Sequence, residues 1–217
     1  MADMRRVLVV AASVLGLGLP SYANLLTNGS FEDGNFIPDT SDSMSLDVGA
    51  TDMTGWAVQT AGLAWIGPSN PFSLSASAGS YFLDLSGYHD NAPYGGVLQS
   101  QTIATTIGAQ YELSFDLGTD VSYDTAPVSV QVTAGSTSQL FTAPVPAGHN
   151  QWQTFSLDFV ATSANTSISL NGQAGTDQKY IGLDNVNLDI VPEPGVLALL
   201  AGPGLLALAA CRRRRKG

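Results

Sequence analysis

Cysteine is almost missing from this sequence, and so is positive charge. The one cysteine, Cys211, sits near the C-terminal end, so everything before it forms without a disulfide framework or thiol chemistry. Eight Lys and Arg face 18 Asp and Glu. Seven of those eight bases lie at the two ends (Arg5, Arg6, Arg212, Arg213, Arg214, Arg215, Lys216), which leaves Lys179 alone between residues 24 and 190. A surface so short of cations repels phosphate backbones and anionic lipid, which argues against both nucleic acid and anionic lipid as partners of the central domain. Histidine is scarce too: His89 and His149 both fall in Gly-, Asn- and Pro-rich turns. Neither belongs to a Gly-x-Ser-x-Gly elbow, a His-x-x-His or a His-Glu pair, and nothing in the sequence requires an enzyme. No sustained helical period of apolar residues occurs away from the ends, and no internal repeat stands out.

What is present first shows at those ends. Arg5 and Arg6, an apolar run over 7–19 and the small residues of Ser21-Tyr22-Ala23 have the order of an export signal, with cleavage expected between Ala23 and Asn24. The other end opens on Val191-Pro192-Glu193-Pro194, continues through 17 uncharged residues (195–211) and closes on Arg212-Arg213-Arg214-Arg215-Lys216. As a helix the uncharged run would be about 26 Å long, just short of the ~30 Å hydrocarbon core, and Gly202-Pro203-Gly204 makes it marginal. Five cations hold its far end in the cytoplasm, so the preceding chain lies outside. The order of Pro-Glu-Pro, short apolar span and arginine cluster resembles the PEP-CTERM sorting signal of Gram-negative bacteria. That resemblance implies a transient inner-membrane anchor, recognition by an exosortase-type membrane protease, and delivery to the cell surface or extracellular matrix. The organisation expected is a signal helix over 1–23, one domain over 24–190 and a sorting segment with a transmembrane helix over 191–217.

The central domain reads as all-β. Tyr111, Leu113, Phe115 and Leu117 share one face of a strand while Glu112, Ser114 and Asp116 share the other; Phe155, Leu157 and Phe159 alternate with Thr154, Ser156 and Asp158. Similar short runs over 80–85, 96–103, 128–132, 138–141, 166–170 and 181–188 complete about eight strands. Asn171-Gly172 is a hairpin-turn signal, and residues 33–55 read as a long surface loop. The spacing predicts a two-sheet antiparallel β-sandwich, a jelly roll.

Within the last run the apolar parity changes: Ile181 and Leu183 have one phase, Val186, Leu188 and Ile190 the other. A slip of one residue predicts a bulge at Asp184-Asn185 that turns a carboxylate toward the sandwich. A buried carboxylate needs a partner, and a bound Ca²⁺ would supply one where cations are so few.

Asn28-Gly29-Ser30-Phe31-Glu32, Gly55-Trp56, Gly96-Val97-Leu98-Gln99, Tyr111–Phe115 and Gly182-Leu183-Asp184-Asn185-Val186 together resemble the galactose-binding-like jelly rolls. Among these the chain is similar to the choice-of-anchor C domains (domain of unknown function family 642) and, more distantly, to family-4-type carbohydrate-binding modules. The resemblance implies a structural Ca²⁺ held by Glu32 and Asp184, with Asn28 and backbone carbonyls completing the shell. Sugar binding calls for flat aromatic platforms flanked by hydrogen-bonding groups. The candidates are Trp56, Trp65, Tyr88, Tyr94 and Gln99, with a core position the alternative for Trp56; Trp152, at the start of a strand, is assigned to the core. Two functions remain open at this point: binding of extracellular polysaccharide or cell-wall glycan, and a structural biofilm-matrix or adhesion role with no small-ligand site. An enzyme acting on glycan would need a pair of carboxylates meeting in a cleft.

Overall fold

Alternation of apolar and polar side chains sorts the chain into antiparallel sheets. The computed structural model describes residues 24–87, 93–100, 102–173 and 180–192. In chain order its strands are β1 (Ser43–Leu46), β2 (Trp56–Gln59), β3 (Leu63–Ile66), β4 (Phe82–Asp84), β5 (Gly96–Gln99), β6 (Ile103–Ala104), β7 (Gln110–Thr119), β8 (Val128–Ala134), β9 (Thr137–Ala143), β10 (Gln151–Val160), β11 (Asn165–Thr166), β12 (Ile168–Gly172) and β13 (Gly182–Ile190). One sheet has the order β1-β3-β4-β13-β7-β10, the other β2-β5-β12-β8-β9, and β6 pairs with β11 in a small third ladder. The described residues contain no helix, as expected of a jelly-roll sandwich. The expected export signal (residues 1–23) and the tail from Glu193 lie outside them.

The core between the sheets comes from the period-2 faces. Leu113, Phe115 and Leu117 of β7 and Leu157 and Phe159 of β10 meet Val128, Val130 and Val132 of β8 and Leu170 of β12, all buried. A second, smaller cluster lies on the opposite face of the six-stranded sheet. There Ala64, Ile66, Phe82 and Tyr180 are covered by Leu74, Phe72 and Ala76 from the segment between β3 and β4. That sheet is therefore buried on both faces over half its width.

The domain's two ends lie side by side. Strand β4 pairs with β13 only at Gly182 and Leu183. Beyond that point the N-terminal segment takes its place: the Leu25 N–H donates to the Leu188 carbonyl at 2.9 Å, and the Val186 N–H to the Gly29 carbonyl at 2.8 Å. The Asn24 side chain closes this edge, accepting from the Leu188 N–H at 2.9 Å and donating to the Val186 carbonyl at 3.1 Å.

Three expectations are corrected. Residues 33–55 are not a plain surface loop: they contain β1, a bridge between Gly34 and Met53, and the buried side chains of Leu46 and Met53. Asn171-Gly172 does not turn. The chain stays extended because both residues are paired, Asn171 with Gln131 and Gly96, Gly172 with Val130, and the Gly172 N–H donates to the Gly95 carbonyl. The runs over 96–103 and 166–170 each split in two, β5 from β6 and β11 from β12.

Candidate functional site

The described aromatic candidates are inside the molecule. Trp56 and Trp65 are fully buried because each indole N–H finds a backbone carbonyl in the opening motif: Trp56 Nε1 donates to Asn28 O at 2.8 Å, Trp65 Nε1 to Phe31 O at 3.0 Å. With its one polar atom satisfied, an indole gains from burial like any large apolar group. Phe31, Trp56 and Trp65 thus plug one end of the core, and Tyr94 is buried as well. Gln99 is buried and acts as a clamp: its amide accepts from the Thr27 N–H and donates to the Gly55 carbonyl. Tyr88 lies outside the described residues. Trp152, assigned to the core from sequence, is only half-buried; it points to the outer face of the six-stranded sheet, edge-on to Phe82 at 5.7 Å, with Nε1 donating to Ser75 O.

The metal candidates are partly brought together. The register slips between Asp184 and Asn187, and Asn185 takes a φ of 52°, so the expected bulge is present. The carboxylate does not turn into the sandwich as expected: Asp184 follows inward-facing Leu183 in ordinary alternation, so it points outward and is buried beneath the segment that covers this face, while the slip after it returns Val186 to the core. Its Oδ2 accepts the Ala78 N–H at 2.8 Å and its Oδ1 the Asn185 N–H at 2.6 Å. From the other side Glu32 Oε1 accepts the Ser80 and Tyr81 N–H groups, both at 2.8 Å. Gly79, between them, has a φ of 70°, and a Cβ there would sit 2.4 Å from the Glu32 carboxyl. Next in the same row Asp116 accepts from Ser77 Oγ at 2.5 Å, Thr154 Oγ1 at 2.6 Å and Asn185 Nδ2 at 3.1 Å. The loop 77–81 is held by three carboxylates. Asn28 does not join them: its amide bonds the backbone of Asp33 and Thr54. No group of three His, Cys, Asp or Glu suited to a metal occurs among the described residues.

Burial dominates the electrostatics here. It pushes Asp184 up to about 7 against the pull of its backbone N–H donors, with the Glu32 charge adding to the rise. It also pushes Asp84 of β4 to about 7, although Ile181 N, Ser86 N and Ser86 Oγ all bond its Oδ1.

The five-stranded sheet is the opposite case. Its strands contain no Asp, Glu, Lys or Arg, whereas Asp84, Glu112, Asp116, Asp158, Asp184 and Asp189 all lie on the six-stranded sheet. On its outer face Gln59, Gly96, Asn171, Gln131 and Leu140 line up in register across all five strands. Ala57, Leu98, Ser169, Thr133 and Ser138 form the next row. The side chains are cross-linked: Gln59 Nε2 to Asn171 Oδ1, Gln131 Nε2 to Ser138 Oγ and Thr133 Oγ1 to Ser138 Oγ at 2.8 Å, and Ser129 Oγ to Thr142 Oγ1 at 2.9 Å. The first of these passes over Gly96, where a Cβ would lie 1.9 Å from Asn171 Oδ1. Sequence reasoning missed this face because the five strands are far apart in the chain. A groove of about 530 Å³ opens beside it, between the end of β9 (Ala143, Pro144) and the start of β10 (Gln151, Gln153), with the His149–Asp120 pair (3.1 Å) on its rim.

The protein-family model described as Protein of unknown function (DUF642) matches residues 24–189. The chain belongs to this family. The match begins at the Asn24 clasp and ends within β13, so the DUF642 domain is the two-sheet sandwich itself. No curated protein matches the chain. Among solved structures, the domain is similar to part of an arabinose-bound α-L-arabinofuranosidase, at 17% identity and TM-score 0.52, over 78% of this chain and 26% of that one. It is also similar to a family 61 carbohydrate-binding module in complex with β-1,4-galactotriose (17% identity, TM-score 0.47, 78% of this chain and 100% of the other). A family 35 carbohydrate-binding module from Clostridium thermocellum matches at 12% identity and TM-score 0.41, over 68% and 91%. At these identities the likeness is one of fold.

The two raised carboxylates set a pH dependence for the DUF642 domain. Asp84 and Asp184 hold their protons to about 7 when folded and to 3.8 when unfolded. Between those values the folded state binds more protons at these two groups, so their contribution to stability is fully present below about pH 4 and is lost as the pH rises to 7. The slope is at most roughly 1.4 kcal/mol per pH unit per group. Urea midpoints measured from pH 4 to 8 should show this fall, and Asp184→Asn should remove about half of it. An unchanged slope in Asp184→Asn would show that the residue does not titrate in this window.

Proposed function

We propose that this DUF642 domain is an exported, non-catalytic module that binds neutral extracellular polysaccharide or cell-wall glycan on the outer face of its five-stranded sheet. The observation that carries the reading is that face: five strands without a charged side chain, in a chain with 18 acids. The amides of Gln59, Asn171 and Gln131 and the hydroxyls of Ser129, Thr133, Ser138 and Thr142 bond neighbours on the face and retain further donors and acceptors. Such groups suit a hydroxyl-rich neutral polymer, and with no aromatic ring on the face among the described residues, recognition there rests on hydrogen bonds. Glu32, Asp116 and Asp184 are engaged by backbone and side-chain donors of the 77–81 loop and its surroundings, and Glu112, Asp158 and Asp189 form a single row across the strands of one sheet, which supports binding in preference to glycan hydrolysis. Affinity electrophoresis tests this. Migration of the 24–190 domain should be retarded in gels cast with neutral glucans or galactans but not in anionic polysaccharide. Asn171→Asp and Gln131→Glu, half-buried on the outer face and close in shape to the natural residues, should abolish the retardation while the domain stays folded, as its melting temperature reports. Equal migration in every gel would leave a matrix or adhesion role without a ligand site.

Calcium belongs to the same proposal. Glu32 and Asp184 are the two carboxylates that would hold Ca²⁺, the remaining ligands being backbone carbonyls and water. The fit rests on Asp184, buried with its charge disfavoured and Glu32 close by. A divalent ion would displace the Asp184 proton, so the loss of stability above pH 4 should shrink in millimolar Ca²⁺ and return with EDTA. Identical titrations would leave the two carboxylates as hydrogen-bond acceptors only.

Delivery follows from the ends of the sequence. Residues 1–23 are proposed as a cleaved export signal, and Val191-Pro192-Glu193-Pro194 with the apolar run and Arg212–Lys216 as a transient inner-membrane anchor processed by an exosortase-type protease. Support comes from their fixed order and from Val191, which leaves the end of β13 still hydrogen-bonded to Gln110 O at 2.8 Å. Glu193→Ala should make an unprocessed membrane form accumulate; unchanged processing would leave the anchor function alone.

A further inference from the structure

We propose that the end of the sandwich from which the C-terminal segment departs lies directly on the membrane surface while that segment is attached. The inference rests on residues 191–217 being a membrane anchor. Pairing in β13 persists to its last residue: Ile190 is in register with Tyr111, and the Val191 N–H still donates to Gln110 O. The apolar run begins at Gly195. From Val191 to Gly195 the chain can span at most about 14 Å, whatever its conformation. The polar headgroup layer takes up a good part of that reach, so the end of the domain beside Gln110 has little room to stand clear of the lipid.

The composition of that end fits the contact. Three turns form it. The turn 105–109 bonds the end of β10 through Gly108 N to Ala161 O (2.8 Å) and Ala161 N to Ala109 O (3.0 Å). Segment 161–165 returns through Thr105 N to Ala164 O (2.9 Å), and the β8–β9 turn joins through Gly135 N to Ser167 O (2.9 Å). Residues 102–110, 134–137 and 160–167, which build these turns, include no Asp, Glu, Lys or Arg. Two aliphatic side chains stand exposed there, Ile107 at 66% and Val160 at 53%. An acidic protein is repelled by the anionic headgroups of a bilayer, and this is the end where that repulsion is weakest. The limit of approach is visible as well. Asp189, Glu112 and Asp158 lie in one register row across β13, β7 and β10, two residues inward from Gln110 and Val160. Their charges would stop the domain from sinking beyond its uncharged rim. At the other end of β7, roughly 30 Å away for ten residues of strand, Asp120 and Asp124 follow Thr119. The domain is therefore polarised along its strands, with its uncharged rim facing lipid and Asp120 and Asp124 at the far end.

The test uses the chain from Asn24 to Gly217 reconstituted in vesicles of phosphatidylethanolamine and phosphatidylglycerol. In a Cys211→Ser background, Ile107→Cys or Val121→Cys carries an environment-sensitive fluorophore; both positions are exposed on turns at opposite ends, so neither label should disturb the fold. Flotation with the vesicles reports anchoring. In the floated fraction, a spin label on the lipid headgroup should quench the fluorophore at 107 several-fold more than at 121. If the chain fails to float, the anchor reading fails and the inference falls with it. Should the chain float while the two positions are quenched equally, the anchor stands and the proposed contact is wrong. A contact at position 107 that appears only when a processing protein is added would assign this end to that protein and likewise overturn the contact with lipid.

Discussion

A loop of backbone has to be fastened over a sheet that carries buried carboxylates, and much of this molecule follows from how that is done. The segment between β3 and β4 covers the outer face of the six-stranded sheet. At 77–81 its own N–H groups, with the Ser77 hydroxyl, bond Glu32, Asp116 and Asp184. Losing one partner of such a bond strands the other in a dry site. The arrangement also explains the opening motif. Phe31 fills the core and its carbonyl receives the Trp65 indole, while Glu32, the next residue, reaches across to the loop. One short stretch therefore closes the end of the sandwich and secures its covering segment.

The same division places the acids. Every carboxylate carried on a strand belongs to the six-stranded sheet, where three are buried among donors and three, Glu112, Asp158 and Asp189, face one another across adjacent strands. Like charges directly opposite destabilise a sheet, so the grouping is unfavourable locally. It leaves the five-stranded sheet and the turns at one end without charge, and those are the surfaces assigned here to neutral glycan and to lipid. A single partition of charge thus supports both contacts.

Much of this was legible in the sequence, and the misses have physical causes. Strands β7 and β10 show in the alternation of 110–117 and 154–159, and the Asp184 bulge shows as a break in parity, because a period of two makes any slip visible. Strand β3 is Leu-Ala-Trp-Ile, buried on both faces, so it has no alternation to find. Trp56 and Trp65 looked like sugar platforms because they adjoin turns. Their burial is decided by two carbonyls, of Asn28 and Phe31, distant in the chain. Asn-Gly misleads at 171–172 since a turn signal acts only where the backbone is free of partners, and there β12 is paired on both sides. The uncharged face could not be foreseen: strand order β2-β5-β12-β8-β9 assembles it from five separate runs.

The central claim is that carboxylates hold the 77–81 loop through its backbone N–H groups. Amide hydrogen exchange of the isolated domain, resolved at Ala78, Ser80 and Tyr81, tests it most directly. Ser80 is on the surface, and without a partner its amide would exchange freely. The account predicts that all three amides are protected to a degree approaching that of β4 and β13, and that Glu32→Gln weakens protection at Ser80 and Tyr81 more than at Ala78. Exchange at the rates of open loop amides would contradict it.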